Sequence, residues 1–414
     1  RVIYRNGGNT HIGQFIDFES GMNTTNNTKN YKRNDFQLPL EGFKALEVTN
    51  VIAGPISGRI LANLGVEVIK MEPPGGEISR PFEVGYFQNL NRNKNAVCIN
   101  TKTEKGKSLA QELIKTVDIY VENMRPGASE RVGYGKADLD KLNPTIVQTH
   151  IAAYGNDGPY VHRPGLDPIA QSITGLQSIQ GGNGAPVLLS MLAPTDFTAG
   201  GMAALGTVAG LYNKIINETG SIVNTNLLAG GILLNGAKIN NYLNNKDNVK
   251  FINKDQNGIS DFNRAYKASD GWFYIYKNSD DSQKLYTKFN SIFNEKIQSV
   301  CELEVCFESR KIESIIEKLK DSDIHICKVN DPTIDEYDFL LNPVTWDQVT
   351  DTNDHPSLIS LEIAHNMHGF GLDNVYIPNY PKLGEHNLYY LSQLGYSKED
   401  LNKFESEGIL NSAQ

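Results

Sequence analysis

One aspartate stands where a reactive carboxylate could be used. Asp196 lies in the stretch Leu192–Thr198, and a run of small residues (Thr-Ala-Gly-Gly-Met-Ala-Ala-Leu-Gly) begins at Thr198. This pattern predicts a helix over 198–216, with Thr195 or Asp196 as its N-cap. Near a helix N-terminus a carboxylate is also favoured in its charged form, and small neighbours leave room for a substrate. Such a carboxylate can attack an acyl carbonyl and form a covalent intermediate. The residues alone leave both roles open.

A second stretch that could bind a ligand follows the first predicted strand. In residues 50–55 (Asn-Val-Ile-Ala-Gly-Pro), Gly54 permits an unusual turn and Pro55 suits the first turn of a helix. Backbone amides at a helix start could bind a phosphate, although a plain strand-to-helix turn would have the same residues. The chain contains no G-x-G-x-x-G and no Walker A motif, so nicotinamide and P-loop nucleotide sites lose their main support. No metal site is predicted.

The composition argues against several classes of partner. The chain has 414 residues, with 39 Lys and Arg against 48 Asp and Glu and a net charge of −9 at pH 7. That balance argues against duplex nucleic acid and against an anionic membrane surface, and no apolar run approaches the roughly 20 residues that span a bilayer. Four cysteines without matched spacing indicate reduced thiols in an intracellular protein. Whether the compartment is cytoplasmic or mitochondrial stays open.

Alternating strand and helix patterns predict a doubly wound α/β domain. The predicted strands are 43–49, 66–71, 96–100, 117–122 and 146–152, and the predicted helices between them are 54–64, 104–116 and 138–142. A parallel sheet is the economical arrangement for this alternation. Ligands of such sheets bind beyond the carboxyl ends of the strands, which here are the stretches 50–54, 73–77, 123–127 and 153–158.

A smaller α+β domain is predicted after the long helix. A hairpin is expected over 265–276, helical structure over 295–320 and a strand over 324–329. We therefore divide the chain into an extension and linker (1–37), a large domain (38–240), a small domain (245–345) and a C-terminal return to the large domain (346–414). Residues 13–21 echo residues 220–230, so 1–37 could be the end of an upstream copy of the domain.

Several motifs in one order resemble the class III CoA-transferases, the group that contains formyl-CoA transferase and carnitine CoA-transferase. The likeness covers about 38–414 and is strongest over 38–215. Its motifs lie at 38–72, Asn91–Lys94, Val121–Gly127, 142–144, Tyr154–Pro159, Asp167–Gln171, 381–386 and 394–396. The resemblance implies an α/β fold with a Rossmann-like large domain and a smaller α+β domain, in an interlocked homodimer.

The resemblance also implies a site and a reaction. The family's nucleophilic aspartate falls on Asp196, which would take the acyl group of an acyl-CoA and then carry CoA to an acceptor acid. Coenzyme A would enter as part of the substrate, with no tightly bound cofactor. Lys102, Arg125 and Arg131 suit its phosphates, and Asp167 is expected to contact the substrate. The family's CoA contacts fall on Ile52, Ala53, Ile99 through Lys102, Asn123, Met124, Arg125 and Arg131.

Two alternatives to a CoA-transferase are considered. The related α-methylacyl-CoA racemase has a histidine directly before the residue matched by Asp167, where this chain has Leu166. Because racemisation moves a proton between two acid/base groups, the loss of one argues against it. The other alternative is a catalytically degenerate copy that keeps the fold and the CoA pocket but acts as a structural partner.

Overall fold

The computed structural model describes residues 38–82, 86–243, 252–277, 282–330 and 380–412. The predicted extension 1–37 and the predicted boundary at 345–346 lie outside these ranges. Within them the chain forms one parallel and one antiparallel sheet, each with helices. None of the helices in these ranges is both long enough and apolar enough to span a membrane.

Six parallel strands form the larger sheet, in the order β3-β2-β1-β4-β5-β6. They are β1 (Lys44–Val48), β2 (Glu67–Glu72), β3 (Asn95–Cys98), β4 (Ile119–Glu122), β5 (Val147–Ala152) and β6 (Ser221–Asn226). The strand order reverses between β1 and β4, so the carboxyl ends of these two strands flank a crevice where ligands bind in such folds. The predicted α/β class, with a Rossmann-like sheet and a smaller α+β part, is confirmed, whereas the interlocked dimer stays a prediction.

The helices of this part connect the strands and cover both faces of the sheet. They are α1 (Ala53–Asn63), α2 (Tyr86–Leu90), α3 (Glu104–Ile114), α4 (Ala128–Val132), α5 (Lys136–Leu142), α6 (Asp167–Ile173), α7 (Leu176–Gly181), α8 (Pro194–Asn217), α9 (Leu227–Leu234) and α10 (Gly236–Leu243). Helix α8 contributes Ala199, Ala203 and Leu211 to a core shared with β1, β4 and β5. Its small side chains let α1 and the sheet approach closely.

The smaller sheet is antiparallel, in the order β10-β9-β8-β7. Its strands are β7 (Gly258–Ser260), β8 (Asn263–Ala268), β9 (Gly271–Tyr276) and β10 (His325–Val329), and its helices are α11 (Ser282–Phe293), α12 (Val300–Glu308) and α13 (Ile312–Leu319). The predicted hairpin is β8 and β9. Phe273, Phe289 and Phe307 are fully buried in one aromatic core, which ties the helices to this sheet.

Two helices near the C-terminus, α14 (Asn387–Gln393) and α15 (Lys398–Ser406), pack on the larger sheet. Tyr390 and Phe404 share a hydrophobic core with Leu46 of β1. At the edge strand β3, the Cys98 N–H donates to Asn387 Oδ1 at 2.8 Å. The tail thereby covers an edge that would otherwise present unpaired backbone groups.

Candidate functional site

Asp196 lies within the first turn of α8, so the prediction that it or Thr195 is the N-cap is wrong. The N-cap is Ala193, whose φ of 38° is left-handed and whose side chain caps nothing. The helix begins before the predicted start because Pro194 suits the first helical position. Asp196 is partly buried, and its carboxylate makes no hydrogen bond or ion pair within the described part of the chain.

The start of α8 is held by Asp167, the first residue of α6. Asp167 is buried, and its Oδ1 accepts from the Thr195 N–H at 2.9 Å and from the Thr195 hydroxyl at 2.6 Å. Its Oδ2 accepts from Gln171 Nε2 at 2.5 Å. A carboxylate from a neighbouring helix thus satisfies an amide of the first turn, as an N-cap residue would. The contact of Asp167 with a substrate stays a prediction.

This arrangement changes the acidity of Asp196. Burial, and after it the negative charge of Asp167, raises the pKa of Asp196 to about 7. Both effects disfavour the ionised carboxylate, whereas the positive end of the α8 dipole favours it. Near neutral pH a fraction of Asp196 is therefore ionised, poorly solvated and available as a nucleophile.

The turn at 50–55 lies beside the face of α8 that carries Asp196. Gly200 follows Asp196 by one helical turn on the same face, and a Cβ at Gly200 would lie 2.5 Å from the Ala53 carbonyl oxygen. Ile52 and Ala193 also belong to one small buried cluster. No side chain caps the start of α1, so its first N–H groups have no acceptor within the helix. The structure therefore packs Ile52 and Ala53 against the start of α8, on the face that carries Asp196.

Asn123 joins the loops on the two sides of the crevice. Its Oδ1 accepts from the Asn50 N–H at 2.8 Å, and its Nδ2 donates to the Asn50 carbonyl, also at 2.8 Å. Met124 lines a cavity of about 400 Å³ at the carboxyl ends of β4, β5 and β6. His150 lines the same cavity, with its Nδ1 2.8 Å from Glu122 Oε1. Asn123 thus connects the loops on the two sides of the crevice, whereas Met124 lines a cavity next to β5 and β6 whose lining includes no residue of the turn at 50–55.

The three predicted phosphate ligands, Lys102, Arg125 and Arg131, are exposed and form no ion pair within the described residues. A Cβ at Gly127 would lie 3.5 Å from Arg131 Nη1, which places this guanidinium beside the loop after β4. Cations without a protein partner can take phosphate oxygens. Ile99, by contrast, is buried in the core, so a ligand in the crevice would meet its backbone rather than its side chain.

Sequence analysis missed a buried network of charges below the turn at 50–55. Lys70 Nζ lies 2.7 Å from Glu77 Oε2 and 3.2 Å from Glu47 Oε1, and Lys94 Nζ lies 2.7 Å from Glu47 Oε2. All four side chains are buried. A signal was present in the sequence, because Glu47 and Lys70 are charged residues inside strands of a parallel sheet, where apolar residues are the rule.

Comparisons with known proteins identify relatives of this chain. The family model described as CoA-transferase family III matches residues 40–387. The succinyl-CoA:glutarate CoA-transferase of Mus musculus is 35% identical over 249 residues, which cover 58% of this chain and 57% of that protein. The formyl-CoA:oxalate CoA-transferase of Streptomyces avermitilis is 37% identical over 192 residues, which cover 45% and 47% respectively. The chain therefore spans about half the length of these curated relatives.

A solved structure shares the fold at low sequence identity. A CAIB/BAIF family protein from Brucella suis superposes with a TM-score of 0.71 and 21% identity, over 86% of this chain and 99% of that one. At this identity the superposition establishes the fold alone, and the match to the family model establishes the relationship. The chain therefore belongs to CoA-transferase family III.

Proposed function

We propose that this protein transfers CoA from an acyl-CoA donor to a free carboxylic acid, with Asp196 as the covalent carrier. The observation that supports this most strongly is the placement of Asp196. Its carboxylate has no partner within the described residues and lies at the start of α8, beside the Ile52–Ala53 turn. The relatives that are named CoA-transferases support the same reaction class.

In the proposed reaction the Asp196 carboxylate acts first as the nucleophile and is regenerated in the last step. The ionised Asp196 adds to the donor thioester carbonyl, the C–S bond breaks, and a mixed anhydride and a CoA thiolate result. The thiolate attacks the Asp196 carbonyl and releases the donor acid, which leaves an aspartyl-CoA thioester. The acceptor carboxylate then attacks this thioester, which releases the CoA thiolate and forms a second mixed anhydride. The thiolate attacks the acceptor carbonyl of that anhydride, and the Asp196 carboxylate leaves. The products are the new acyl-CoA and ionised Asp196, so no net proton, electron or phosphate is consumed.

Other groups of the chain have separate roles in this proposal. The first amides of α1, at Ala53 and Gly54, would donate to the oxygen that becomes negative when Asp196 adds to the thioester. Lys102, Arg125 and Arg131 would bind the CoA phosphates. Buried Asp167 keeps the first turn of α8 in place and raises the pKa of Asp196.

Dicarboxylates are the substrates to test first. One relative is named succinyl-CoA:glutarate CoA-transferase, and another, from Chloroflexus aurantiacus, is named succinyl-CoA–D-citramalate CoA-transferase. We therefore propose succinyl-CoA as donor and short dicarboxylates as acceptors. Short branched acids belong in the same screen, with product thioesters identified by mass.

An isotope experiment tests the covalent role of Asp196. An acceptor whose carboxylate carries oxygen-18 should leave one labelled oxygen in the peptide that contains Asp196, and hydroxylamine should convert the intermediate to a hydroxamate at that residue. Asp196→Asn should show neither. Deuterium exchange at the α-carbon of a 2-methylacyl-CoA without an acceptor would indicate a racemase instead. Absence of exchange and of transfer across the screen would indicate a structural partner.

We also propose that two copies of the chain associate as a homodimer. Helix α8 presents Leu205, Tyr212 and Ile216 at helical spacing on an outer face, with 72%, 68% and 60% of their surface exposed. Contiguous apolar surface of this kind marks an interface between proteins. Sedimentation at several concentrations tests the dimer, and Leu205→Glu should shift the protein toward the monomer.

A further inference from the structure

The turn that faces Asp196 contains an unfavourable backbone conformation. Val51 has a φ of 66°, in the left-handed region, where a β-branched side chain is a clear outlier. Such a conformation is unfavourable and persists only where the surroundings hold it. Val51 directly precedes Ile52 and Ala53, so its conformation decides how those two residues approach α8.

The group that holds Val51 is the carboxylate of Glu77. The Val51 N–H donates to Glu77 Oε1 at 2.8 Å, and the Ser79 hydroxyl donates to the same oxygen. The other oxygen, Oε2, lies 2.7 Å from Lys70 Nζ. Lys70 also donates to the Thr49 carbonyl at 3.0 Å, two residues before Val51. Two buried side chains therefore fix the backbone that leads into the strained residue.

The same network reaches the other end of the turn. Lys94 Nζ donates to the Pro55 carbonyl at 2.8 Å and pairs with Glu47. Gly58 makes room for this carboxylate, because a Cβ there would lie 1.7 Å from Glu47 Oε2. Burial alone would lower the pKa of Lys70, but the nearby carboxylates, Glu47 foremost, raise it overall, so the lysine stays charged. The turn is thus held at both ends by buried charges.

We infer that Glu77 is a positioning residue for catalysis, which holds Val51 in its left-handed conformation so that the Ile52–Ala53 turn faces Asp196. This inference rests on the proposed function. Without the carboxylate, Val51 should relax to a negative φ, which rotates the following peptide and misplaces the first amides of α1. Misplacement of about 1 Å can cost roughly a hundredfold in rate. Binding of the CoA phosphates should change little, because their proposed ligands Lys102, Arg125 and Arg131 lie on other loops.

Kinetic constants of two single variants and one double variant test this role. Glu77→Ala should lower kcat about 30-fold and change KM for the acyl-CoA by less than about threefold, the signature of a lost transition-state interaction. Glu77→Gln, which keeps an oxygen for the Val51 N–H, should retain more of the rate than Glu77→Ala. Adding Val51→Gly to Glu77→Ala should restore most of kcat, because glycine adopts a positive φ without strain.

The controls distinguish a loss of positioning from a loss of stability and from a failure of the proposed CoA transfer. Glu112, near the C-terminal end of α3, is half-buried, and its carboxylate accepts from the Tyr396 hydroxyl. Glu112→Ala should therefore lower Tm without changing kcat. If Glu77→Ala lowers Tm but leaves kcat intact, or if Val51→Gly restores nothing, the positioning role is wrong. A wild-type protein that transfers no CoA to any acceptor would instead overturn the proposed function. Should Glu77→Ala fail to fold, the comparison of Glu77→Gln with and without Val51→Gly decides the question.

Discussion

Asp167 and Thr195 form a paired contact at the start of the helix that carries Asp196. The buried carboxylate of Asp167 accepts from both the backbone N–H and the hydroxyl of Thr195, at 2.9 and 2.6 Å. One group therefore has two effects, because it fixes the first turn of α8 and places a negative charge near the proposed nucleophile. The position and the acidity of Asp196 are coupled through this contact.

Asp167→Asn should shift the pH dependence of transfer to lower pH. Removing the charge lowers the pKa of Asp196 from about 7, so the ionised form persists at lower pH and the acid limb of kcat/KM moves down by roughly one unit or less, because burial remains. The variant should also lose roughly 1–3 kcal/mol of stability, since the new amide group faces Gln171 Nε2, another donor. Asp157→Asn, in an exposed loop, is the control. An unchanged acid limb in Asp167→Asn would show that the charge does not act on Asp196.

Asp196→Asn should abolish transfer and stabilise the fold at high pH. The folded-state pKa of Asp196 lies above the ordinary carboxyl value, so the unfolded chain releases this proton at lower pH than the folded chain. The wild-type free energy of unfolding therefore falls as pH rises from about 4 to about 7. The variant lacks this loss, so its advantage should vanish below pH 4 and reach roughly 4 kcal/mol above pH 7, which is about three pKa units at about 1.4 kcal/mol each.

Denaturant unfolding at several pH values measures this advantage, and kcat should fall about a thousandfold or more. An advantage that does not depend on pH would contradict the raised pKa of Asp196.

Gly200→Ala should damage both the fold and the site. Its Cβ would lie 2.2 Å from Ile56 Cγ2 and 2.5 Å from the Ala53 carbonyl oxygen, so α1 and α8 must separate, at a cost of roughly 1–3 kcal/mol. Because Ala53 packs against α8 one turn from Asp196, kcat should fall with stability. The matched control is Gly201→Ala, whose Cβ meets nothing within 4 Å and which should gain roughly 0.5–1 kcal/mol from helix propensity. Equal Tm and kcat in the two variants would refute the close packing of α1 on α8.

Arg125→Ala and Arg131→Ala should weaken acyl-CoA binding. Each removes one proposed phosphate ligand, so KM for the donor should rise about tenfold with little change in kcat, and the rise should shrink at high salt. Lys107→Ala is the control, because Lys107 pairs with Glu104 on the outer face of α3. Unchanged KM values in both arginine variants would place the CoA phosphates elsewhere.

Local sequence patterns were sufficient to predict most of the helices and strands. Apolar runs and small-residue spacing predicted β1, β5, α8 and the β8–β9 hairpin close to where they lie, because period and turn chemistry act over a few residues. Strand β6 (Ser221–Asn226) was not predicted, since four of its six residues are polar and only Thr225 is buried at this edge of the sheet. The start of α8 was placed too late, because its cap comes from Asp167, 28 residues before Thr195.

The sequence by itself determined the fold class, the family motifs and the identity of the proposed nucleophile, Asp196. Only the tertiary structure decided what surrounds that carboxylate: Asp167 at its helix start, the Ile52–Ala53 turn across Gly200, and Glu77 holding Val51. The reason is that these contacts join residues far apart in the chain, and their energies depend on burial and distance. Burial and distance cannot be read from the spacing of residue types, because both arise only when the helices and strands pack together.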